Sequence, residues 1–259
     1  MTHAAYPRFG LFNTEERIIH SDSVGQDFQI GIWFPFSYGS SDQRYPVLYV
    51  PDGEFAFGLV TGLMPILIGT QEVPELIVVG IAYHGITDWR EHGILRDRDF
   101  CPPGFQNPPA DSRIELFTNF FKQELFPLIE TEYRGSPEDR ALFGFSSGGF
   151  FTLHSMLTQP GMFRRHIAAG CTWPGADQYL LNCEQQYAAQ PEHPLTDLYL
   201  SVGERDEEQL PGFRTLTETL RERNYPGLRL STQIWEGESH NAGVLAKTFL
   251  YGVRAVFKS

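Results

Sequence analysis

Cysteine is scarce in this chain. Only Cys101, Cys171 and Cys183 occur among 259 residues, with neither Cys-x-x-Cys spacing nor an even count, which speaks against a disulfide framework and against a zinc site. The expectation for Cys171, which follows a strand-like run, is a free buried thiol. Positive charge is scarce too: 20 Lys and Arg stand against 32 Asp and Glu, a net charge of -12 at pH 7. Broad binding to nucleic acid or to an anionic membrane surface is therefore disfavoured. Long apolar runs are missing, since the longest, residues 59–68, cannot span a bilayer, and residues 1–10 show no apolar run behind a basic start. The chain reads as cytoplasmic. It shows no internal repeat, linker or low-complexity tract, and its apolar and charged fractions are those of a globular protein. One α/β domain over residues 1–259 is a simpler account than two small ones.

Against these absences stands one stretch around which the rest is organised, Ala141-Leu142-Phe143-Gly144-Phe145-Ser146-Ser147-Gly148-Gly149-Phe150-Phe151. A short apolar run enters a Gly-x-Ser-x-Gly turn and leaves as a segment, residues 150–157, that can continue as a helix. A serine displayed on so sharp a turn needs small residues two positions to either side, where strand and helix approach. Ser146 has Gly144 and Gly148 there, whereas Ser147 would have Phe145 on one side. Ser146 is therefore the candidate nucleophile.

Periodicity places the other elements. Residues 15–20 and 28–36 read as an antiparallel hairpin, 46–50 as a third strand ending at Pro51-Asp52-Gly53, 55–68 as a largely buried helix and 76–83 as a central parallel strand. Residues 84–112 are polar and without clear period, too long for a plain connection, and predict a functional or rim-forming loop. Helical spacing returns over 114–133. After the elbow come a strand at 166–170, a partly helical segment at 173–194, a strand at 198–202, a helix at 210–223, a last strand at 228–234 and a closing helix at 244–257. Eight strands alternating with helices after an initial hairpin predict a mostly parallel sheet with helices on both faces, the serine following the fifth strand. Residues 84–113 and 171–194 are expected to rim the pocket.

A serine hydroxyl needs a histidine to take its proton, and the histidine needs an acid to orient it. In the order serine, acid, histidine, only His193 and His240 are suitably placed. His240 is preferred, because Glu236-Gly237-Glu238-Ser239-His240 follows the last strand on the elbow's edge, whereas His193 precedes its strand. The acid is expected just beyond residues 198–202, in Gly203-Glu204-Arg205-Asp206-Glu207. Asp206 is chosen, since a residue past the glycine turn can point back to the histidine; Glu204 and Glu207 remain alternatives. A tetrahedral intermediate also needs oxyanion donors. The Ser147 N–H is one, and Glu54 N–H, after Asp52-Gly53, is the other. The Glu54 carboxylate must then point away, be neutralised, or engage a hydroxyl or amine of the substrate. Of the remaining histidines, His154 reads as a packed helix residue, and His84, ending the fourth strand, is a candidate pocket residue. Trp173 is a candidate aromatic wall.

Taken together, Pro46-Val47-Leu48-Tyr49-Val50-Pro51-Asp52-Gly53, Val78-Val79-Gly80-Ile81, Arg98-Asp99-Phe100, Gly144-Phe145-Ser146-Ser147-Gly148-Gly149 and Gly237-Glu238-Ser239-His240 resemble the putative-esterase family of α/β-hydrolases. That group includes siderophore-ester hydrolases, feruloyl esterases, S-formylglutathione hydrolase and mycolyltransferases. The resemblance implies an eight-stranded hydrolase fold, Ser146 as nucleophile and His240 as base. It also implies an acid three residues after a glycine, which matches Gly203 and Asp206, and an oxyanion donor just after the Asp-Gly pair, which matches Glu54. The closing Gly-Glu-Ser-His looks nearest to the siderophore-hydrolase branch. Two regions depart from the family pattern, Gly170-Cys171-Thr172-Trp173-Pro174-Gly175 and residues 86–113.

The reading that follows is a serine hydrolase acting on a small-molecule carboxylic ester, siderophore-type or aromatic, through an acyl-enzyme, with no metal and no organic cofactor. An acyltransferase, biosynthetic thioesterase or lactone-forming enzyme would use the same triad. A catalytically silent hydrolase fold that binds a ligand is the alternative from another class.

Overall fold

The computed structural model describes residues 10–105 and 111–258. Thr14–Ser21 (β1) and Gln26–Trp33 (β2) form the expected antiparallel hairpin, turning at Gly25 with φ of 67°. Tyr45–Val50 (β3) runs into the helix Gly53–Gly69 (α1), and Ile77–Tyr83 (β4) follows. Gly135–Phe145 (β5), Arg165–Ala169 (β6), Thr196–Gly203 (β7) and Leu228–Trp235 (β8) complete one sheet in the order β1-β2-β4-β3-β5-β6-β7-β8. Among the described residues only the β1–β2 and β2–β4 pairs are antiparallel. From β4 to β8 the pairing is parallel, so the loops leaving β3 to β8 gather along one edge. Open parallel sheets place their binding sites at that edge.

Alternation along the strands sends residues to two separate cores. Leu48, Val50, Val78, Phe143 and Ile167 meet α1 and the closing helix Ala242–Val256 (α8) on one face. Tyr49, Val79, Leu142 and Ala168 face a larger core built on Ser147–Thr158 (α5), Ala176–Ala188 (α6) and Leu210–Arg223 (α7). Phenylalanine dominates that side: Phe117, Phe120, Phe121, Phe150, Phe151 and Phe163 are all fully buried. Each such ring contributes on the order of 1.5–3 kcal/mol through burial. Along α5 every residue from Ser147 to Leu157 is buried, so the helix leaving the serine turn is enclosed on all sides.

One expectation needs correction. Residues 84–112 are not loop throughout, because Trp89–Phe100 forms a helix (α2). Asp88 caps it, its Oδ1 accepting from Arg90 N at 2.7 Å and Glu91 N at 3.2 Å. The inward face of α2 consists of His92, Arg96, Asp99 and Phe100 at helical spacing; three of the four are polar, and the apolar period is therefore invisible. Residues 106–110 of the expected rim lie outside the described residues. The helical spacing over 114–133 is met by Ile114–Phe120 (α3), a π-helical turn Phe121–Leu125 and Phe126–Glu132 (α4), which follow one another without a break. Pro127 lacks an N–H for a regular i to i−4 bond, and the wider turn precedes it. The three cysteines are buried, with burial pushing the Cys101 thiol up to about 12 and that of Cys171 upward as well. Among the described residues no helix is long and apolar enough to cross a membrane.

Candidate active site

β5 ends at Phe145 and α5 begins at Ser147, which leaves Ser146 alone on the turn with φ of 59° and ψ of −125°. That conformation is costly for a residue with a side chain, and here the neighbouring packing holds it in place. A Cβ on Gly144 would lie 2.1 Å from the Gly148 oxygen, and one on Gly149 would lie 2.7 Å from the Ala169 oxygen. The Ser146 N–H donates to the same Ala169 oxygen at 2.9 Å, tying the turn to β6. Among the described residues the Ser146 hydroxyl has no hydrogen-bond partner, and the residue is half-buried.

The loop after β8 carries His240 back towards this turn. Its ring stacks on Phe145, with centroids 4.6 Å apart and planes at 24°, and stands over Gly170, where a Cβ would be 2.9 Å from Nδ1. The loop can come so close to β7 because Gly203 has no side chain: a Cβ there would meet the Glu238 oxygen at 2.6 Å. Nδ1 of His240 lies 3.2 Å from Asp206 Oδ2 and 2.9 Å from Gln209 Nε2. Of the three acids considered, Asp206 makes this contact. Glu204 instead accepts from the Gly237 N–H at 2.9 Å, and Glu207 is exposed. His193 packs between Tyr187 and Tyr225, away from this edge.

The first turns of two helices bring backbone donors to the same edge. Ser147 opens α5 and Glu54 is the second residue of α1, and among the described residues neither N–H has an acceptor. The Glu54 side chain is turned into the protein: its Oε1 accepts from the Tyr83 N–H at 2.6 Å, and its Oε2 is 3.2 Å from His92 Nε2. The idea that this carboxylate engages a substrate hydroxyl or amine is therefore corrected, since partners within the fold occupy it. A cavity of about 440 Å3 lies behind it, bordered by Glu54, Phe57, Ala82, Tyr83 and Ile86; Ser146, Asp206 and His240 do not line it.

His84 is exposed, and its backbone N–H donates to Asp27 at 3.0 Å. Trp173 is half-buried with its ring 5.5 Å from that of Phe150. The arrangement thus joins Ser146, His240, Asp206, Ser147 and Glu54 to one edge, with the serine unpartnered, an imidazole backed by a carboxylate, and two free amide donors. Among the described residues no group of three or more His, Cys, Asp or Glu side chains is placed to hold a metal ion.

A family model described as "Putative esterase" matches residues 21–240. The chain belongs to that esterase family. Ferri-bacillibactin esterase BesA of Bacillus subtilis (strain 168) is 26% identical over 251 residues, which cover 90% of this chain and 86% of the relative. A siderophore enterobactin esterase of Emericella nidulans is 28% identical over 166 residues, covering 55% of this chain and 52% of its own. The crystal structure of BES protein from Bacillus cereus matches with a TM-score of 0.87 at 26% identity, each chain covered in full at 100%.

Within this esterase-family chain, sequence reasoning overlooked two groups. Gln209 is buried beside His240, its Oε1 accepting from the Thr172 N–H at 2.9 Å while its own carbonyl accepts from Thr172 Oγ1 at 2.9 Å. Nothing in its local sequence marks it. Arg96 sits beneath the serine turn and binds both oxygens of Asp52, each at 2.7 Å. Burial works against the charge of Arg96, but Asp52 outweighs it and holds the guanidinium above its ordinary pKa. A signal for the Arg96 helix was present in Asp88 and Glu91, the acidic cap and first turn of α2.

Proposed function

We propose that the protein is a serine hydrolase that cleaves a small-molecule carboxylic ester, of the siderophore type, through an acyl-enzyme. The observation that carries this reading is the strained serine of the β5–α5 turn at the same sheet edge as a histidine whose Nδ1 faces a buried aspartate at 3.2 Å. Ser146 Oγ attacks the ester carbonyl carbon while the free ring nitrogen of His240 takes its proton. Asp206 orients the imidazole and stabilises the imidazolium. The N–H groups of Ser147 and Glu54 hold the oxyanion, and the first-turn amides of two helices suit a developing negative charge. Collapse of the tetrahedral intermediate expels the alcohol, which receives the proton from His240. Water then repeats the sequence on the acyl-enzyme and releases the acid. The siderophore class is supported by what the relatives' names say they act on.

The test is intact-mass analysis after a fluorophosphonate, on the native protein and on Ser146→Ala, beside turnover of short and aromatic nitrophenyl esters and of a siderophore triester. One adduct that disappears in the variant together with turnover is the expected result. An adduct or turnover that persists in Ser146→Ala would remove the serine from the mechanism. Preference for short esters over the triester would remove the substrate class and leave the chemistry standing.

A further inference from the structure

Arg96 touches the residues on both sides of the serine and the loop that precedes the second amide donor. Its Nη2 donates to the Phe145 carbonyl at 3.3 Å and its Nη1 to Ser147 Oγ at 3.3 Å, so the carbonyl before Ser146 and the side chain after it share one guanidinium. The same group grips the Asp52 carboxylate bidentately. Asp52 is fully buried and has left-handed backbone, φ 57° and ψ 41°, and its carbonyl accepts from Phe55 and Ala56 N–H to start α1. Asp97, beside Arg96 on α2, accepts from Ser147 Oγ at 2.8 Å. One turn of α2 therefore pins the β5–α5 turn and the β3–α1 turn to each other. Those turns carry Ser147 N–H and Glu54 N–H.

We infer that Arg96 is a positioning residue that sets the two backbone donors of the oxyanion hole against each other, and that α2 is in this sense part of the active site and not only its rim. The inference rests on the serine-esterase reading above. The physical case is one of rigidity: two amides on separate helices stabilise an oxyanion only if their separation is fixed before the charge develops. The β3–α1 and β5–α5 turns belong to neighbouring parallel strands, but the β3–β5 pairing ends at Tyr49 and Leu142, before either turn begins. A planar guanidinium with donors along two edges can hold a carboxylate on one side and a carbonyl and a hydroxyl on the other. Lysine keeps the charge but offers no such fork.

The experiment compares Arg96→Lys and Ser147→Ala with the native protein, using Arg98→Lys as a control. Arg98 pairs with Asp99 on the same helix, at 2.7 Å, and has no contact with either turn among the described residues. Each sample is titrated with the fluorophosphonate so that rates are expressed per reactive serine. If Arg96 positions the donors, Arg96→Lys lowers kcat per titrated site by about 10- to 100-fold with KM within about threefold, and weakens a trifluoromethyl ketone inhibitor by the same factor. Ser147→Ala, which removes the hydroxyl but keeps the N–H, lowers kcat by less. Arg98→Lys reduces the number of titratable sites and leaves each at its native rate. Native kcat per site in Arg96→Lys, or an equal loss in Arg98→Lys, would overturn the inference. Failure of the serine reading is distinguishable, because native protein would then give no serine adduct to titrate.

Discussion

The two halves of the candidate site are held by different physics. On the serine side the contacts are buried and charged: Asp52 is 2% exposed, Arg96 14%, and the glycines of the turn leave no room for a methyl group. On the histidine side the imidazole is 35% exposed, and its Nδ1 is approached by one carboxylate and one amide. Breaking a buried ion pair strands a charge and costs several times what an exposed contact is worth. The serine side is therefore preorganised by the fold, whereas the imidazole itself can be altered with little penalty to folding. Substitutions on the two sides should differ less in how much activity they remove than in whether stability is lost with it.

His240→Ala gives the largest effect expected on the lightly held side. Turnover should fall by about four to six powers of ten, because in the proposed mechanism the nucleophile loses its base. Unfolding free energy should change by no more than about 1 kcal/mol, the ring being largely peripheral to both cores. Urea denaturation followed beside ester turnover separates the two quantities. A large loss of stability would mean that the stacking on Phe145 is structural and that the contrast between the two sides is false.

Asp206→Asn comes next, with turnover lower by about two to four powers of ten. Asparagine keeps the shape and the contact distance but removes the charge that stabilises imidazolium. Steady-state rates with a nitrophenyl ester measure it, and Glu204→Gln provides the comparison. Should Glu204→Gln cost more than Asp206→Asn, the acid would have been assigned to the wrong carboxylate.

How far the sequence carried this reading varies by residue type. All eight strands were legible, because β-branched and aromatic runs bounded by Gly, Pro and Asp leave few alternatives in an α/β pattern. The place of Ser146 on the strained turn was legible because the turn demands glycines at fixed offsets, and those offsets decided between two adjacent serines. Asp206 and His240 came from position relative to strand ends, which parallel pairing brings to one edge. Helix α2 was missed because the period was carried by His92, Arg96 and Asp99, polar residues that leave no apolar stripe, and Asp52 and Tyr83, to which Arg96 and Asp99 are bonded, lie outside the helix. Gln209 was missed for the same reason: its importance lies in Thr172 and His240, neither near it in sequence. Of the roles left open for the Glu54 side chain, pointing away from the site is the one the structure meets, and its acceptor role towards the Tyr83 N–H depends on how α1 sits against β4.

Gln209 supplies the smallest and sharpest test of the comparison. Its amide orientation is fixed, since flipping it would take Oε1 away from the buried Thr172 N–H. Its Nε2 must then donate towards His240 Nδ1, the nitrogen that also faces Asp206. A neutral imidazole cannot serve both neighbours: a proton on Nδ1 is offered to Asp206 and repels the amide, and a bare Nδ1 accepts from the amide and leaves Asp206 unmatched. Replacing Gln209 with leucine removes the competitor and leaves the carboxylate alone with the ring. It also strands the Thr172 N–H, at a cost of about 1–3 kcal/mol in unfolding free energy. The expected outcome of Gln209→Leu is a clear fall in the urea midpoint with turnover per reactive serine unchanged or higher. The reverse pattern, native stability with turnover lowered more than about tenfold, would show that the amide and not the carboxylate holds the ring in place.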